Sequence, residues 1–309
     1  LILLNQKLKK MKRIAIIGYF ILYCVSLNAQ QTQQQETTKD SFYLLAPVEV
    51  RAVRAAANAP FTKTNLSKQE IEKNNLGQDI PFILNQTPSV VVNSDAGTGI
   101  GYTGIHIRGT DGTRINITLN GIPYNDAESQ ISYFVDLPDF TSSVNSIQVQ
   151  RGVGTSSNGS GAFGASINFS TNEVNKDKYL ELNNSYGSFN SWKNTLKIGT
   201  GLIHDHFTFD LRLSSITSDG YIDRASSNLK SLHFSTAYIG KSSSLRFNIF
   251  AGKEKTYQAW YGVSEADLKA GNCRINYAGM EDPNGPYPNE TDNYWQNHYQ
   301  LVYDQRINK

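Results

Sequence analysis

Hydrophobic and polar positions alternate with a period of two through most of the second half of the chain. Phe207, Phe209, Leu211 and Leu213 are separated by Thr208, Asp210 and Arg212. Leu245, Phe247 and Ile249 alternate with Arg246 and Asn248, and Trp295, Tyr299, Leu301 and Tyr303 with Gln296, His298 and Gln300. Weaker copies lie at 179–187, 192–199 and 229–238, which predicts about six strands over 173–309. Each carries one apolar, aromatic-bearing face and one polar face. Short joins, such as 199–205, alternate with long ones, such as 253–293. That combination predicts antiparallel transmembrane β-barrel strands rather than a soluble sandwich. Six strands form an incomplete barrel, since an open sheet leaves two long edges that cannot persist in lipid.

The first half has a different texture. From Leu66 to Thr87 the apolar positions fall at helical spacing, with Ser67 as cap, Glu70 three residues on and Pro88 as terminator. Short strands are predicted at 90–92, 105–108, 116–119, 147–150 and 166–169, with Asn120-Gly121 as a hairpin turn. Residues 54–172 are thus expected to form a compact α+β domain. Ahead of it, Pro47, Val48, Glu49 and Val50 lie in an extended stretch (46–53) with no neighbouring strand, suited to adding to a partner's sheet edge.

The N-terminus is a targeting segment. Met11-Lys12-Arg13 precedes an apolar run from Ile14 to Leu27, too short to span a bilayer, and Ser26-Leu27-Asn28-Ala29 offers a cleavage site. Residues 1–29 are read as signal peptide with upstream sequence. Residues 30–45 are read as a polar, low-complexity leader facing the periplasm.

Composition narrows the function. Lys+Arg 29 against Asp+Glu 27 gives a net charge of +2, which does not mark a nucleic-acid binder. The 24 Gly and 17 Tyr suit turns and strands. His106, His204, His206, His233 and His298 form no helical ligand motif, and Gly159-Ser160-Gly161 is a turn rather than a nucleophile elbow. No enzyme, metal site or cofactor is expected. Of the cysteines, Cys24 leaves with the signal and Cys273 is read as a lone loop thiol.

Three ordered stretches then resemble one family. Leu76 to Val90 (LGQDIPFILNQTPSV) is similar to the helix opening the plug of TonB-dependent outer-membrane receptors. Ile107-Arg108-Gly109-Thr110 through Leu119-Asn120-Gly121-Ile122-Pro123 resembles the plug's arginine-glycine strand and hairpin, with Asn120 where Asp is more usual. Val144 to Gly152 with Gly159 to Thr171 resembles the plug ending. The resemblance implies a plug at 54–172, a TonB-box-like segment at 46–53, and placement in the cell outer membrane with the plug towards the periplasm.

It also implies energised uptake of a scarce solute. The outer membrane has no ATP, so force comes through contact with TonB and its inner-membrane energising complex. A ferric siderophore or other iron chelate is the expected cargo. A cobalamin or haem receptor, or a truncated fragment that transports nothing, are the other readings. Apical ligand candidates are Tyr102, Tyr124, Asp126, Glu128, Gln130 and Tyr133. Trp260 and Tyr261 could join them, or serve as girdle or loop packing. Arg108 and Arg151 are expected to tie plug to barrel wall through ion pairs. Further partners are outer-membrane lipid and the small ligand itself.

Overall fold

The structure, a computed structural model, describes residues 54–56, 59–154 and 161–307. The signal segment, the leader and Pro47–Val50 lie outside the described residues.

The N-terminal half is built on a five-stranded sheet in the order β1 (Lys63–Ser67), β6 (Ser146–Arg151), β7 (Ala165–Ser170), β4 (Ile115–Leu119), β5 (Ile122–Pro123). The β4–β7 pair is parallel and the others antiparallel. A separate hairpin joins β2 (Val90–Ser94) to β3 (Thr103–Ile107). Asn120 and Gly121 take φ of 54° and 80°, the left-handed pair that a two-residue hairpin turn requires, and Leu119 faces Ile122 across it.

The expected single helix is two short ones. A capping box at Ser67 and Glu70 opens α1 (Lys68–Asn74), and α2 spans Ile80–Ile83. Between them Gly77 sits at φ 117°, which a side chain would oppose, so the helical run breaks there. Leu76, expected on the apolar helix face, is instead 67% exposed, and Leu66 belongs to β1 opposite Ile147. Arg108 falls just beyond β3, in a left-handed bend with φ 54°. The core of this inner domain gathers Ile71, Leu84, Ile107, Ile117, Ile147, Ile167 and Phe169.

The second half is one antiparallel sheet of six strands: β8 (Tyr179–Gly187), β9 (Ser191–Gly199), β10 (Phe207–Ser218), β11 (Ser227–Ile239), β12 (Ser243–Tyr257) and β13 (Thr291–Gln305). The sheet is open, with β8 and β13 at its edges. Strands β12 and β13 run further than their apolar positions suggested, because Lys253, Glu254, Lys255 and Thr256 continue the alternation. The long outer loop is therefore 258–290, and it carries α3 (Glu265–Ala270).

The faces of this sheet are inverted relative to a soluble one. Along β12 the buried positions are Arg246, Asn248, Phe250, Gly252, Glu254 and Thr256, packed on the inner domain, while Leu245 points outward and is exposed. On β13, Tyr299, Leu301 and Tyr303 are 63–70% exposed. An apolar band turned away from the protein is what a lipid-facing wall requires. The apolar exceptions on the polar face are Ile216 and Leu229, packed on Ile100 and Val135 of the inner domain, and Phe250. Phe250 enters the inner core edge-to-face with Phe140 (5.5 Å), which packs likewise on Phe169 (5.7 Å).

Two residues beyond Phe250, the inner domain approaches the wall without room for a side chain. A Cβ on Gly252 would overlap the Asp136 carbonyl oxygen and lie 2.9 Å from Pro138 Cδ. Gly252→Ala is expected to loosen the seat of the inner domain by about 1–3 kcal/mol. Denaturant unfolding of that domain in the complete protein measures the loss.

Candidate functional site

The inner domain is held to the wall at one buried carboxylate. Asp139 stands between two 3-10 turns, Phe134–Asp136 and Phe140–Ser143, with φ 52°, which projects its side chain towards the strands. Lys193 Nζ lies 2.8 Å from Oδ1 and Arg212 Nη1 lies 3.5 Å from Oδ2. Thr195 and Ser214 donate their hydroxyls to Oδ2 at 2.6 Å each, and Ser142 donates to Oδ1 at 2.5 Å. Arg212 Nη1 also donates to the Asp139 carbonyl (2.7 Å), and Ser231 Oγ to the Pro138 carbonyl (2.5 Å). All three charged side chains are at most 5% exposed. Burial alone would raise the Asp139 carboxyl. The Lys193 ammonium and Arg212 guanidinium outweigh that and hold it at about 2.

A second seam lies towards the outer end, and it is acidic. Asp79 and Asp136 of the inner domain face Glu254 and Asp292 of the wall. Thr103 Oγ1 donates to Asp79 at 3.0 Å. The Tyr102 hydroxyl donates to Asp292 at 2.5 Å and lies 3.3 Å from Glu254. Burial pushes the Asp79 carboxyl up to about 7, opposed by the Thr103 hydroxyl and reinforced by the charges of Asp136 and Glu254. Asp136 is likewise pushed up to about 7 by burial, then by Glu254 and Asp292.

Asn120 makes a third attachment. Its Oδ1 accepts from the Thr171 amide (2.8 Å), and its Nδ2 donates to Thr171 Oγ1 (3.1 Å) and to Gln300 Oε1 on β13 (3.0 Å). An Asp at this turn could not make the last two bonds, which accounts for the amide here.

Of the sequence-predicted residues, Tyr102, Tyr124 and Tyr133 are brought together. Tyr102 packs edge-to-face on Tyr133 (6.5 Å), whose carbonyl accepts from the Tyr124 hydroxyl (3.1 Å). Tyr124 also reaches Gln296 (3.3 Å) and the His298 ring (5.3 Å). Tyr102 and Tyr133 line a cavity of about 290 Å³ together with Asp95, His106, Ile105 and Ile117.

Asp126 is occupied within its own loop, accepting from the amides of Glu128 (3.0 Å) and Ser129 (2.7 Å), while Gln130 Nε2 donates to the Ala127 carbonyl (2.8 Å). Glu128 is exposed. Trp260 and Tyr261 form a separate exposed pair, 6.1 Å between rings.

The expected arginine ties to the wall do not form among the described residues. Arg151 donates to the Pro88 carbonyl (3.1 Å), and Arg108, turned back by its left-handed bend, lies against Gly152, both contacts inside the inner domain. The plug side of the tie is an aspartate and the wall supplies the cations. The signal was present in inward-facing positions of neighbouring strands: Lys193 and Arg212 sit on the polar faces of β9 and β10, and a buried cation needs an anion opposite.

A polar-faced wall wrapped on a small inner domain, with its apolar side outward, defines a plugged outer-membrane protein. Residues 55–166 match the TonB-dependent Receptor Plug Domain. The inner domain is thus similar to the plug of TonB-dependent receptors, and the six strands after it share the fold of a solved receptor's barrel wall.

It is 27% identical over 199 residues to the vitamin B12 transporter BtuB of Vibrio vulnificus (strain YJ016), covering 63% of this chain and 30% of the relative. It superposes on the closed form of the ferric-catecholate import receptor Fiu of E. coli K12 with a TM-score of 0.62 at 19% identity, covering 82% of this chain and 36% of that one. For the ferric yersiniabactin uptake receptor FyuA of Yersinia pestis the TM-score is 0.60 at 14% identity, covering 79% and 38%. The chain spans about a third of the length of these relatives. Among the described residues no helix is long and apolar enough to cross a membrane, which says nothing of crossing by strands.

Two predictions follow from the opposite signs of the seams. Asp139→Ala leaves Lys193 and Arg212 buried without their anion and is expected to cost about 3–5 kcal/mol in plug stability, measured by chemical unfolding of the complete receptor. The acidic seam should give a pH slope. Asp79 and Asp136 hold their protons up to about 7 when folded against 3.8 when not, so their stabilisation is complete below about pH 4 and is lost as pH rises towards 7. The slope is at most about 1.4 kcal/mol per pH unit for each carboxyl. Hydrogen exchange at residues 101–104 and 134–137 should quicken over that window, and Asp136→Asn should flatten the trend.

Proposed function

We propose that this chain is the plug-bearing portion of a receptor for energised uptake across the outer membrane, and that its cargo is an iron chelate. The observation that carries the reading is how the plug is seated. Its contacts with the wall are largely buried polar and charged ones, at Asp139, at Asn120 and along the acidic seam, with separate small apolar patches at Phe250 and where Ile216 and Leu229 meet Ile100 and Val135. Such a plug fills the lumen yet can slide or remodel once its few strong contacts break, whereas a continuous apolar seam would make it permanent. Breaking Asp139 from two cations requires work, and an applied pull supplies it.

In this reading Pro47, Val48, Glu49 and Val50 form the strand that TonB of the energising complex captures, and the N-terminal segment is removed on export. The apical cluster of Tyr102, Tyr124 and Tyr133, with Trp260 and Tyr261 on the outer loop, contacts the ligand. Fiu and FyuA are import receptors for ferric compounds, which supports a chelate. The match to BtuB favours cobalamin as the second reading.

The test is uptake by cells lacking their own receptors for either compound and expressing the full-length gene. Accumulation of radiolabelled iron chelates, abolished by an uncoupler and by deletion of residues 47–50, is the expected result. Accumulation of cobalamin alone would establish the second reading, and uptake indifferent to the uncoupler would overturn both.

A further inference from the structure

We propose that Arg274 straps the long outer loop to the apex of the plug, so that loop 258–290 responds to the position of the plug's glycine loop at 94–102. The connection runs through the turn between β10 and β11. On the plug side, the Ala96 carbonyl accepts two backbone amides of that turn, from Tyr221 (2.8 Å) and Ile222 (3.2 Å). Gly97 follows at φ 75°, and a Cβ there would lie 3.0 Å from Tyr221 Cβ, so plug and turn touch without a gap. Ala96, Ala225, Ala259 and Ile222 pack together beside this joint.

On the loop side, Arg274 grips the same turn in several ways at once. Its Nε donates to the Tyr221 carbonyl at 2.7 Å and lies 3.4 Å from Asp223 Oδ1, and its own carbonyl accepts from the Asp223 amide at 2.9 Å. The guanidinium lies over the rings of Tyr221 (5.6 Å) and Phe189 (5.9 Å), which themselves meet edge-to-face. A planar cation donates in its plane and stacks by its face at the same time, a combination that an ammonium reproduces only in part. Asn276 extends the joint, its Nδ2 donating to the carbonyls of Asp223 and Gln258 at 2.9 Å each. By contrast, α3 buries no residue, so the loop's hold on the rest of the protein is concentrated near 274–278.

Tyr221 is therefore shared. Its amide belongs to the plug contact and its carbonyl to the loop contact, on adjoining peptide units. When the plug apex moves, the two bonds to Ala96 break, the turn loses its support, and Arg274 loses a fixed acceptor. The device works in the other direction by the same contacts, since a ligand group that draws the loop down orders the turn over Ala96. It holds whichever solute is carried.

Hydrogen exchange across residues 258–290 in the full-length receptor, held in lipid nanodiscs, tests it without reference to uptake. Gly97→Ala, which pushes Tyr221 away from the plug, is expected to speed exchange in the loop about five- to ten-fold, the factor that losing one net hydrogen bond brings. Arg274→Ala should do the same and Arg274→Lys should fall between. The double variant should add little to either single one, because both break one chain of contacts. Should Gly97→Ala fail to fold, Ala96→Gly takes its place, loosening the plug side of the joint without touching Arg274. A loop indifferent to the plug-side change, or single effects that add in full, would overturn the proposal.

Discussion

The arrangement of plug and wall turns on the carboxylate of Asp139. It is a full negative charge removed from water, and such a charge is tolerable only with its lone pairs filled and an opposite charge beside it. Two cations and three hydroxyls meet that demand, and four of the five come from the wall or reach across to it. The geometry of β9 and β10 is thereby tied to one loop of the plug. The bend at φ 52° that presents the carboxylate is a conformation Asp accepts more readily than most residues, so the same residue supplies both the turn and the charge. Close packing at Gly252 and the ring of Phe250 then fix the plug in register along β12, two residues apart on the same face.

The two seams answer opposite chemical demands. At Asp139 burial is opposed by cations, and the group stays ionised. At Asp79 and Asp136 burial is reinforced by other carboxyls, and the groups keep protons well above the ordinary range. One contact thus behaves as a fixed electrostatic pin over physiological pH, while the other titrates within it. The plug is held more evenly in mild acid than in mild base, and the outer end of the plug is where the difference falls.

Much of this was legible in the sequence. The alternation in 207–213, 245–249 and 295–303 located wall strands, and even the faint copies at 179–187 and 229–238 proved to be strands, because an apolar outer face and a largely polar inner one enforce period two along most of each strand. The Asn120-Gly121 turn and the Ser67–Glu70 cap were equally local, hence readable. What escaped depended on contacts between distant residues. The helix expected through Leu76 broke at Gly77, whose conformation the spacing of apolar residues does not report. Arg108 and Arg151 looked like the tie to the wall because of their chemistry, yet the backbone bend decides where Arg108 points. Asp139 carries no signal of its own in the sequence, and its meaning emerges only opposite Lys193 and Arg212.

Phe250 bears on the order of assembly. The wall contributes one ring to the plug's own core, edge-to-face with Phe140 on one side and stacked on the His233 ring (4.5 Å) on the other. A plug folded ahead of its wall would have a vacant place beside Phe140 and a buried-type aspartate still in water. Its last layer of packing can close only around strands β11 and β12. The native plug is in this sense templated by the structure it will later obstruct, and the seal and the pore are finished in the same event.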